Sequence, residues 1–449
     1  MNVRPVRVKL STLGCRLNEA ELAGWSRELE ARGCQIIEAE DAADLVVLNT
    51  CAVTAEAMRK SRKQLRRLQR EHPRAQVVVS GCAVSFGADD QLGEHGIDLT
   101  VHNRDKDRLV ALAREALALP WMPEGATEPG AAALFARGRQ RAFVKVQDGC
   151  RYQCTFCITT RARGEERSRP IAEVCREVQR LVADGIQEVV LTGVHAAGYG
   201  RDSGSSLDEL LAAVLAETDV ARLRLGSVEP WDLSDRFWQL FEQPRLMPHL
   251  HLPLQSGADS VLKRMARRCK TRDFARLVET ARSAVPGFNI TTDIIVGFPG
   301  ETEHEWAQTR DFVAQMGFGD LHIFSYSPRR GTLAATMPDQ VPTAVKRERS
   351  RALHGLARRL KREHLAQQVG RIQPVLIEGF ETAGDGLTQV GYTPSYLLVR
   401  VPTGGADLSN RILPVRIERV IDEAEHGPPE GNARPPGLLL GGMSDIGTE

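Results

Sequence analysis

The chain has 449 residues, of which 42% are hydrophobic and 26% charged, and its formal net charge is +1. At about 150 residues per domain this is a protein of two to four domains, with enough apolar material to exclude a mainly disordered chain. The near-neutral balance also excludes a uniformly basic nucleic-acid coat protein, while leaving room for local basic faces. The longest apolar run, Leu109 to Leu119, is broken by Arg114 and Glu115 and falls short of the ~18 residues of a membrane span. No apolar stretch follows the charged N-terminus, so a cytoplasmic protein without a membrane partner is expected. The nine cysteines then read as thiols rather than as a disulfide framework.

Along residues 1–118, strand-like runs at Val6–Leu13, Leu45–Asn49, Val77–Ser80 and Leu99–Val101 alternate with helical patterns at Asn18–Arg32 and Thr54–Glu71. That alternation predicts a doubly wound parallel sheet. Residues 119–139 are rich in Pro, Gly and Ala and read as a linker. Residues 140–368 hold a second series, with strands expected at Phe143–Gln147, Glu188–Thr192, Arg222–Ser227, His249–Leu254, Asn289–Val296 and Leu321–Tyr326. About six βα units suit an open (β/α) barrel with its chemistry at the strand carboxyl ends. The series closes on one long basic helix at 342–368. From 369 to 423 short strands with glycine turns predict a small all-β barrel. The Pro- and Gly-rich stretch 424–449 reads as a disordered tail.

Cys150, Cys154 and Cys157 form a C-x3-C-x2-C triplet directly after the first strand of the second series. Three thiolates on one tight loop can hold three corners of an Fe–S cube, leaving one iron open to a chelating substrate. The alternatives are a zinc site with a distant fourth ligand, or three unrelated buried thiols. A structural zinc site usually shows a second Cys or His pair, and none is present nearby. The spacing and its place after the first barrel strand resemble the radical SAM superfamily, whose open iron binds S-adenosylmethionine.

Cys15, Cys51 and Cys82 are far apart in sequence, yet each follows a strand-like run, in Leu13-Gly14-Cys15, Asn49-Thr50-Cys51 and Ser80-Gly81-Cys82. In a parallel sheet all strand carboxyl ends share one edge, so the three can converge as a second cluster site. Three ordinary buried cysteines are the competing reading. Cys34, Cys175 and Cys269 fit neither set and are expected to be structural.

Two three-cysteine sets, the first on a doubly wound domain and the second on a radical SAM barrel, followed by a small β domain, resemble the methylthiotransferases. The strings behind this include Thr12-Leu13-Gly14-Cys15-Arg16-Leu17-Asn18, Asn49-Thr50-Cys51-Ala52-Val53-Thr54, Lys145-Val146-Gln147-Asp148-Gly149-Cys150 and Gly297-Phe298-Pro299-Gly300-Glu301. The resemblance covers about residues 5–423. It implies two [4Fe–4S] clusters, S-adenosylmethionine, a TRAM-like, OB-like C-terminal domain, and transfer of a methylthio group, with a low-potential electron donor and a sulfur source as partners. Among the family's substrates the Cys15 and Cys51 strings look most like the branch acting on threonylcarbamoyladenosine in tRNA. The sister branches act on isopentenyladenosine in tRNA and on a ribosomal-protein aspartate. One departure is Ile158-Thr159-Thr160-Arg161, where relatives more often carry a Pro-Tyr pair. A non-catalytic RNA-binding Fe–S protein is the reading from another class.

The same resemblance implies that Thr192 and Gly193 contact the methionyl amino group, that Glu229 meets ribose hydroxyls or an ammonium, and that Gly297, Gly300 and Phe156 wall the adenine. Ordinary strand-end turns are the competing reading for each. Arg161, Arg163 and Arg167, just after the triplet, are expected to supply cations for a substrate carboxylate. Basic residues crowd two helices, from Arg59 to Arg70 and from Lys346 to Arg362, which favours a phosphate backbone as partner. The β domain is not basic, with five Arg against seven Asp or Glu in 371–423, so any RNA contact there is expected from residues such as Tyr392 or Tyr396.

Overall fold

The computed structural model describes residues 4–37, 42–85, 96–122, 140–380, 388–421 and 438–443. Most of the expected linker lies outside them. The N-terminal strands are β1 (Arg7–Thr12), β2 (Gln35–Ile36), β3 (Leu45–Thr50), β4 (Gln76–Gly81) and β5 (Leu99–Val101). They form one parallel sheet in the order β2-β1-β3-β4-β5. All six residues of β3 are buried, as a central strand covered on both faces requires. Alternation sends Val46, Leu48, Val77 and Val79 to one face, against Met58, Leu65 and Leu68 of the Ala55–Glu71 helix. Leu45, Val47 and Val78 pack on the other face with Leu22, Trp25 and Leu29 of the Arg16–Glu30 helix. The Ala55–Glu71 helix begins where Thr54 Oγ1 accepts the Ala57 N–H at 3.0 Å. The strand order reverses between β1 and β3, which opens a crevice at their carboxyl ends.

The second series runs β6 (Arg141–Lys145), β7 (Gln147–Asp148), β8 (Arg167–Ser168), β9 (Glu188–Thr192), β10 (Arg222–Leu225), β11 (His249–His251), β12 (Asn289–Val296) and β13 (Asp320–Ser325). Parallel pairing joins β6-β9-β10 and β11-β12-β13, and the bridges Leu223↔Leu246 and Ser227↔His251 connect the two sheets. The result is a six-stranded (β/α) barrel, open between β6 and β13. Outward residues such as Val144, Val189, Leu223, Leu250, Ile290 and Leu321 meet the helices in one large core.

The β domain is a closed barrel in the order β14-β15-β16-β18-β17, comprising β14 (Ile372–Phe380), β15 (Thr388–Tyr392), β16 (Leu398–Pro402), β17 (Ile412–Ile421) and β18 (Leu438–Met443). The last strand corrects the sequence expectation. Residues 438–443 belong to the stretch read as a disordered tail, yet they close the barrel between β16 and β17. The rest of that stretch lies outside the described residues. Tyr392 and Tyr396 are a second correction. Their rings stack at 4.8 Å, with the Arg141 guanidinium 4.3 Å above Tyr392 and that of Arg224 4.8 Å above Tyr396. Arg222 and Arg224 also donate to the Tyr392 and Pro394 carbonyls. These tyrosines seal the amino-terminal mouth of the central barrel instead of offering faces to RNA bases. No helix among the described residues is long and apolar enough to cross a membrane.

Candidate functional site

Cys15, Cys51 and Cys82 stand just past β1, β3 and β4, on the edge where the crevice opens. Two glycines bring the loops together. Gly14 has φ +109°, and a Cβ there would lie 2.9 Å from Cys51 Sγ; Gly81 has φ +107°, and a Cβ would lie 2.3 Å from the Thr50 carbonyl. Burial pushes the Cys51 thiol up to about 11, and the neighbouring Cys82 and Cys15 thiols add to it. Asn103 Nδ2 approaches Cys82 Sγ at 3.8 Å, and the Cys51 N–H donates to Ser61 Oγ at 3.1 Å.

Cys150, Cys154 and Cys157 ride a loop suspended from β7. Gln147 Nε2 donates to the Asp148 and Gly149 carbonyls at 2.9 and 2.8 Å. Thr155 ties the middle of the loop to the Met265 and Arg264 carbonyls. Backbone N–H groups of Tyr152 and Thr159 point at Cys150 Sγ and Cys157 Sγ, both at 3.4 Å, as donors do around cluster-bound sulfur. Burial pushes the Cys150 thiol up to about 12, so metal binding must displace a firmly held proton. Gly149 has φ +72°, and a Cβ there would sit 1.8 Å from the Glu165 carbonyl oxygen. Gly149→Ala therefore carries about 1–2 kcal/mol from backbone conformation alone, before the collision is relieved. Iron analysis of the reconstituted variant should show the barrel cluster lost and the fold intact by circular dichroism; full iron content would contradict this.

Among the described residues, the group of three ligand-type side chains with all ligand atoms within 4.8 Å of one another is His251, Asp293 and His322.

The other expected residues surround the barrel triplet. Thr192 ends β9, buried, and Gly193 backs onto Gln147, where a Cβ would meet Oε1 at 3.0 Å. Glu229 accepts from Arg267 Nη2 at 2.7 Å. Gly297 and Gly300 have φ +71° and +72°, and their loop is pinned by Glu301, which accepts the Gly297 N–H at 2.8 Å and the Arg349 guanidinium at 2.7 Å. Phe156 lies edge-on to Phe298 with centroids 6.5 Å apart. Arg161 and Arg167 are exposed, donating to the Gly331 carbonyl at 2.7 Å and the Arg104 carbonyl at 3.5 Å. Arg163 differs from the expectation. It is buried, and it binds Glu21 at 3.0 Å, Asp148 at 2.9 Å and Asn18 at 2.9 Å. The short helix Thr159–Arg163 thus clamps the barrel loop to the N-terminal crevice.

Arg267 escaped the sequence reading. It reaches Cys154 Sγ at 3.9 Å as well as Glu229, and lies 4.3 Å above the Trp231 ring. Within the run Arg267-Arg268, no sequence signal marks which arginine turns inward. The basic helices also divide. Arg59, Lys60, Lys63, Arg66, Arg67 and Arg70 are exposed, whereas Arg349 and Lys361 of the Thr343–Ala366 helix are buried on Glu301 and Asp320.

Residues 144–313 match the family described as the radical SAM superfamily, and residues 7–101 match uncharacterized protein family UPF0004. A radical SAM domain implies a [4Fe–4S] cluster and S-adenosylmethionine. In fold, the chain is similar to a radical S-adenosylmethionine methyltransferase, TsrM, from Kitasatospora setae, with a TM-score of 0.53 and 17% identity over 74% of this chain and 77% of that one. A threonylcarbamoyladenosine tRNA methylthiotransferase MtaB from Bacillus subtilis is 35% identical, covering 91% of this chain and 93% of the relative. One from Thermotoga maritima is 36% identical over 84% and 88%. A tRNA-2-methylthio-N(6)-dimethylallyladenosine synthase from Acidothermus cellulolyticus is 35% identical over 98% and 94%. Identity of this order along nearly the whole of both chains, on a barrel and a doubly wound sheet that each present three cysteines, makes this chain a member of the methylthiotransferase family of radical SAM enzymes.

Proposed function

We propose that this protein adds a methylthio group to C2 of N6-threonylcarbamoyladenosine beside the anticodon of tRNA, with one [4Fe–4S] cluster on each cysteine set. The observation that carries the reading is the name shared by three relatives at 34–36% identity over 84–92% of the chain. When bound, the clusters and S-adenosylmethionine supply the one-electron chemistry and sulfur transfer that no ordinary base can bring to an aromatic C–H. The chain's own residues hold and orient. Thr192, Gly193, Glu229, Gly297, Gly300 and Phe156 line the place for S-adenosylmethionine beside the barrel triplet, and Arg267 fixes the Glu229 carboxylate. Arg161, Arg167 and the exposed face of the Ala55–Glu71 helix take phosphates or a substrate carboxylate. A low-potential electron donor and a sulfur source complete the set of partners.

The isopentenyladenosine reading draws support from the relative of that activity at 35% identity. Direct competition among unmodified, isopentenylated and threonylcarbamoylated anticodon stem-loops, scored by methylthio product, separates the two. At least roughly tenfold preference for the threonylcarbamoylated RNA is expected, since a site built for polar contacts rejects an analogue lacking them. Preference for the isopentenylated RNA would move the chain to the sister branch, and activity only on a ribosomal protein would end the RNA reading.

A further inference from the structure

The inner wall of the central barrel is not uniform around its circumference. On β6 and β9 the inward Phe143 and Val190 pack against Ala20 of the Arg16–Glu30 helix, and Arg16 lies 5.1 Å over the Phe143 ring. The N-terminal domain therefore packs against that part of the inner wall. The wall formed by β11, β12 and β13 keeps exposed side chains. Period-2 alternation places its inward residues without ambiguity: Leu250, Ile290, Ile294 and Leu321 belong to the outer core, so His251, Asp293, His322 and Phe324 face the lumen. The pairings His251↔Thr291, Asp293↔His322 and Ile295↔Phe324 are successive rows, with His251 one step below Asp293 and His322, and Phe324 one step above them.

The two deeper rows are polar and tightly ordered. One Asp293 oxygen lies 3.1 Å from His251 Nε2 and 3.1 Å from His322 Nδ1, and His251 Nδ1 is 2.9 Å from Thr291 Oγ1. The two imidazoles stack at 5.0 Å. The His322 side chain nevertheless remains 58% exposed. One row nearer the strand carboxyl ends, where the cysteine loops hang, Phe324 is 46% exposed. A half-exposed phenylalanine beside a fixed imidazole, on the inner wall of a barrel, is a stacking face with a polar end.

We infer that this wall is the nucleoside subsite: Phe324 stacks the target base, and His322, held by Asp293 and His251, receives the polar arm on its N6. The inference rests on the proposed substrate and deepens it. With the base on Phe324, the arm extends toward the floor, while the C2 edge stays nearer the rim that carries the clusters. Threonylcarbamoyl presents a carboxylate acceptor together with hydroxyl and N–H donors. His322 Nε2–H suits the first and the Asp293 carboxylate the others; an isopentenyl arm would leave both unpaired. The hydrogen bond that His322 Nδ1–H donates to the Asp293 carboxylate also raises the imidazole above its ordinary value, which favours the cationic form that a carboxylate would select.

Steady-state kinetics of the cluster-loaded enzyme on threonylcarbamoylated and isopentenylated stem-loops, for wild type, His322→Gln and Phe324→Ala, tests this. His322→Gln should raise KM for the threonylcarbamoylated RNA by roughly tenfold or more, with a much smaller effect on kcat. Discrimination between the two RNAs should collapse. Phe324→Ala should weaken both RNAs alike, by roughly tenfold. A wild type that prefers the threonylcarbamoylated RNA while His322→Gln keeps that preference overturns this inference alone. A wild type without the preference overturns the substrate reading and this inference with it. Stoichiometric zinc bound by wild type in equilibrium dialysis and lost in His322→Gln would make the three residues a metal site and also overturn it.

Discussion

Replacing Cys150, Cys154 and Cys157 with Ala is expected to cut the iron of the reconstituted protein from about eight to about four per chain and to abolish cleavage of S-adenosylmethionine. The reverse triple variant, at Cys15, Cys51 and Cys82, is expected to lose the other four irons and all methylthiolation while cleavage of S-adenosylmethionine continues. The separation follows from where the two sets hang. The barrel triplet takes its shape from Gln147, Gly149 and Thr155, and its neighbours Glu229 and Arg267 are barrel residues. The dispersed set takes its shape from the ends of β1, β3 and β4, drawn together by Gly14 and Gly81. Removing thiols from one sheet edge leaves the other loop's backbone supports untouched. Iron and sulfide analysis, with cleavage products followed by chromatography, reads both halves. Wild type saturating at one cube, or a Cys51→Ala variant yielding normal methylthio product, would defeat the division of labour.

The elements legible in the sequence were those whose local pattern and tertiary role coincide. β9 and β12 span the residues expected of them, Glu188–Thr192 and Asn289–Val296, because each is a run rich in β-branched residues and bounded by turn residues. β18 was hidden for the opposite reason. Leu438–Met443 follows a Pro- and Gly-rich stretch and contains Gly441 and Gly442, which read as breakers. Yet a Cβ at Gly441 would lie 2.3 Å from Val415 Cγ1, so the glycine is what lets the closing strand approach β17. Tyr392 and Tyr396 looked like stacking residues because composition cannot reveal that Arg141 and Arg224, roughly 250 and 170 positions away, lie over their rings. Of the His251, Asp293 and His322 wall, only His251 is visible in the sequence: its alternation with His249 puts both on one strand face and points to a substrate or supporting contact rather than a metal ligand. Asp293 and His322 join it through strand register alone. The six cysteines were legible because a tight loop and a repeated strand-end position are both local signals.

Arg163 shows where local pattern stops informing and tertiary contacts take over. In the segment Arg161-Ala162-Arg163 nothing separates the two arginines by type, but residues two apart on a helix point to different sides. Arg161 faces solvent and Arg163 enters the domain junction. There its guanidinium meets Glu21, Asp148 and Asn18, while Lys106 Nζ meets the second Glu21 oxygen at 2.5 Å. The side chains of Arg163, Glu21 and Lys106 are 1–2% exposed. Burial alone would push the Glu21 carboxyl up, but Lys106 and Arg163 outweigh it and hold it well below the usual carboxylate range. An ionised Glu21 therefore favours the folded state at neutral pH, and that contribution is lost as the pH falls below the ordinary carboxylate value of about 4.3. Arg163→Met should leave Glu21 and Asp148 under-compensated and cost about 3–5 kcal/mol. Asn18, which also donates to the Leu13 and Thr50 carbonyls beside Cys15 and Cys51, would lose its anchor to the barrel. Denaturant unfolding of the iron-free, reduced protein should show the loss at pH 7 and most of it still at pH 3.5, because the native Glu21 carboxyl stays ionised there and its contribution fades only toward its lowered native value. The pair Arg163→Met with Glu21→Gln should recover a large part, because the uncompensated charge is then gone. An arginine that served only to bind substrate would leave the unfolding midpoint where it is at both pH values, and that result would return Arg163 to the substrate site.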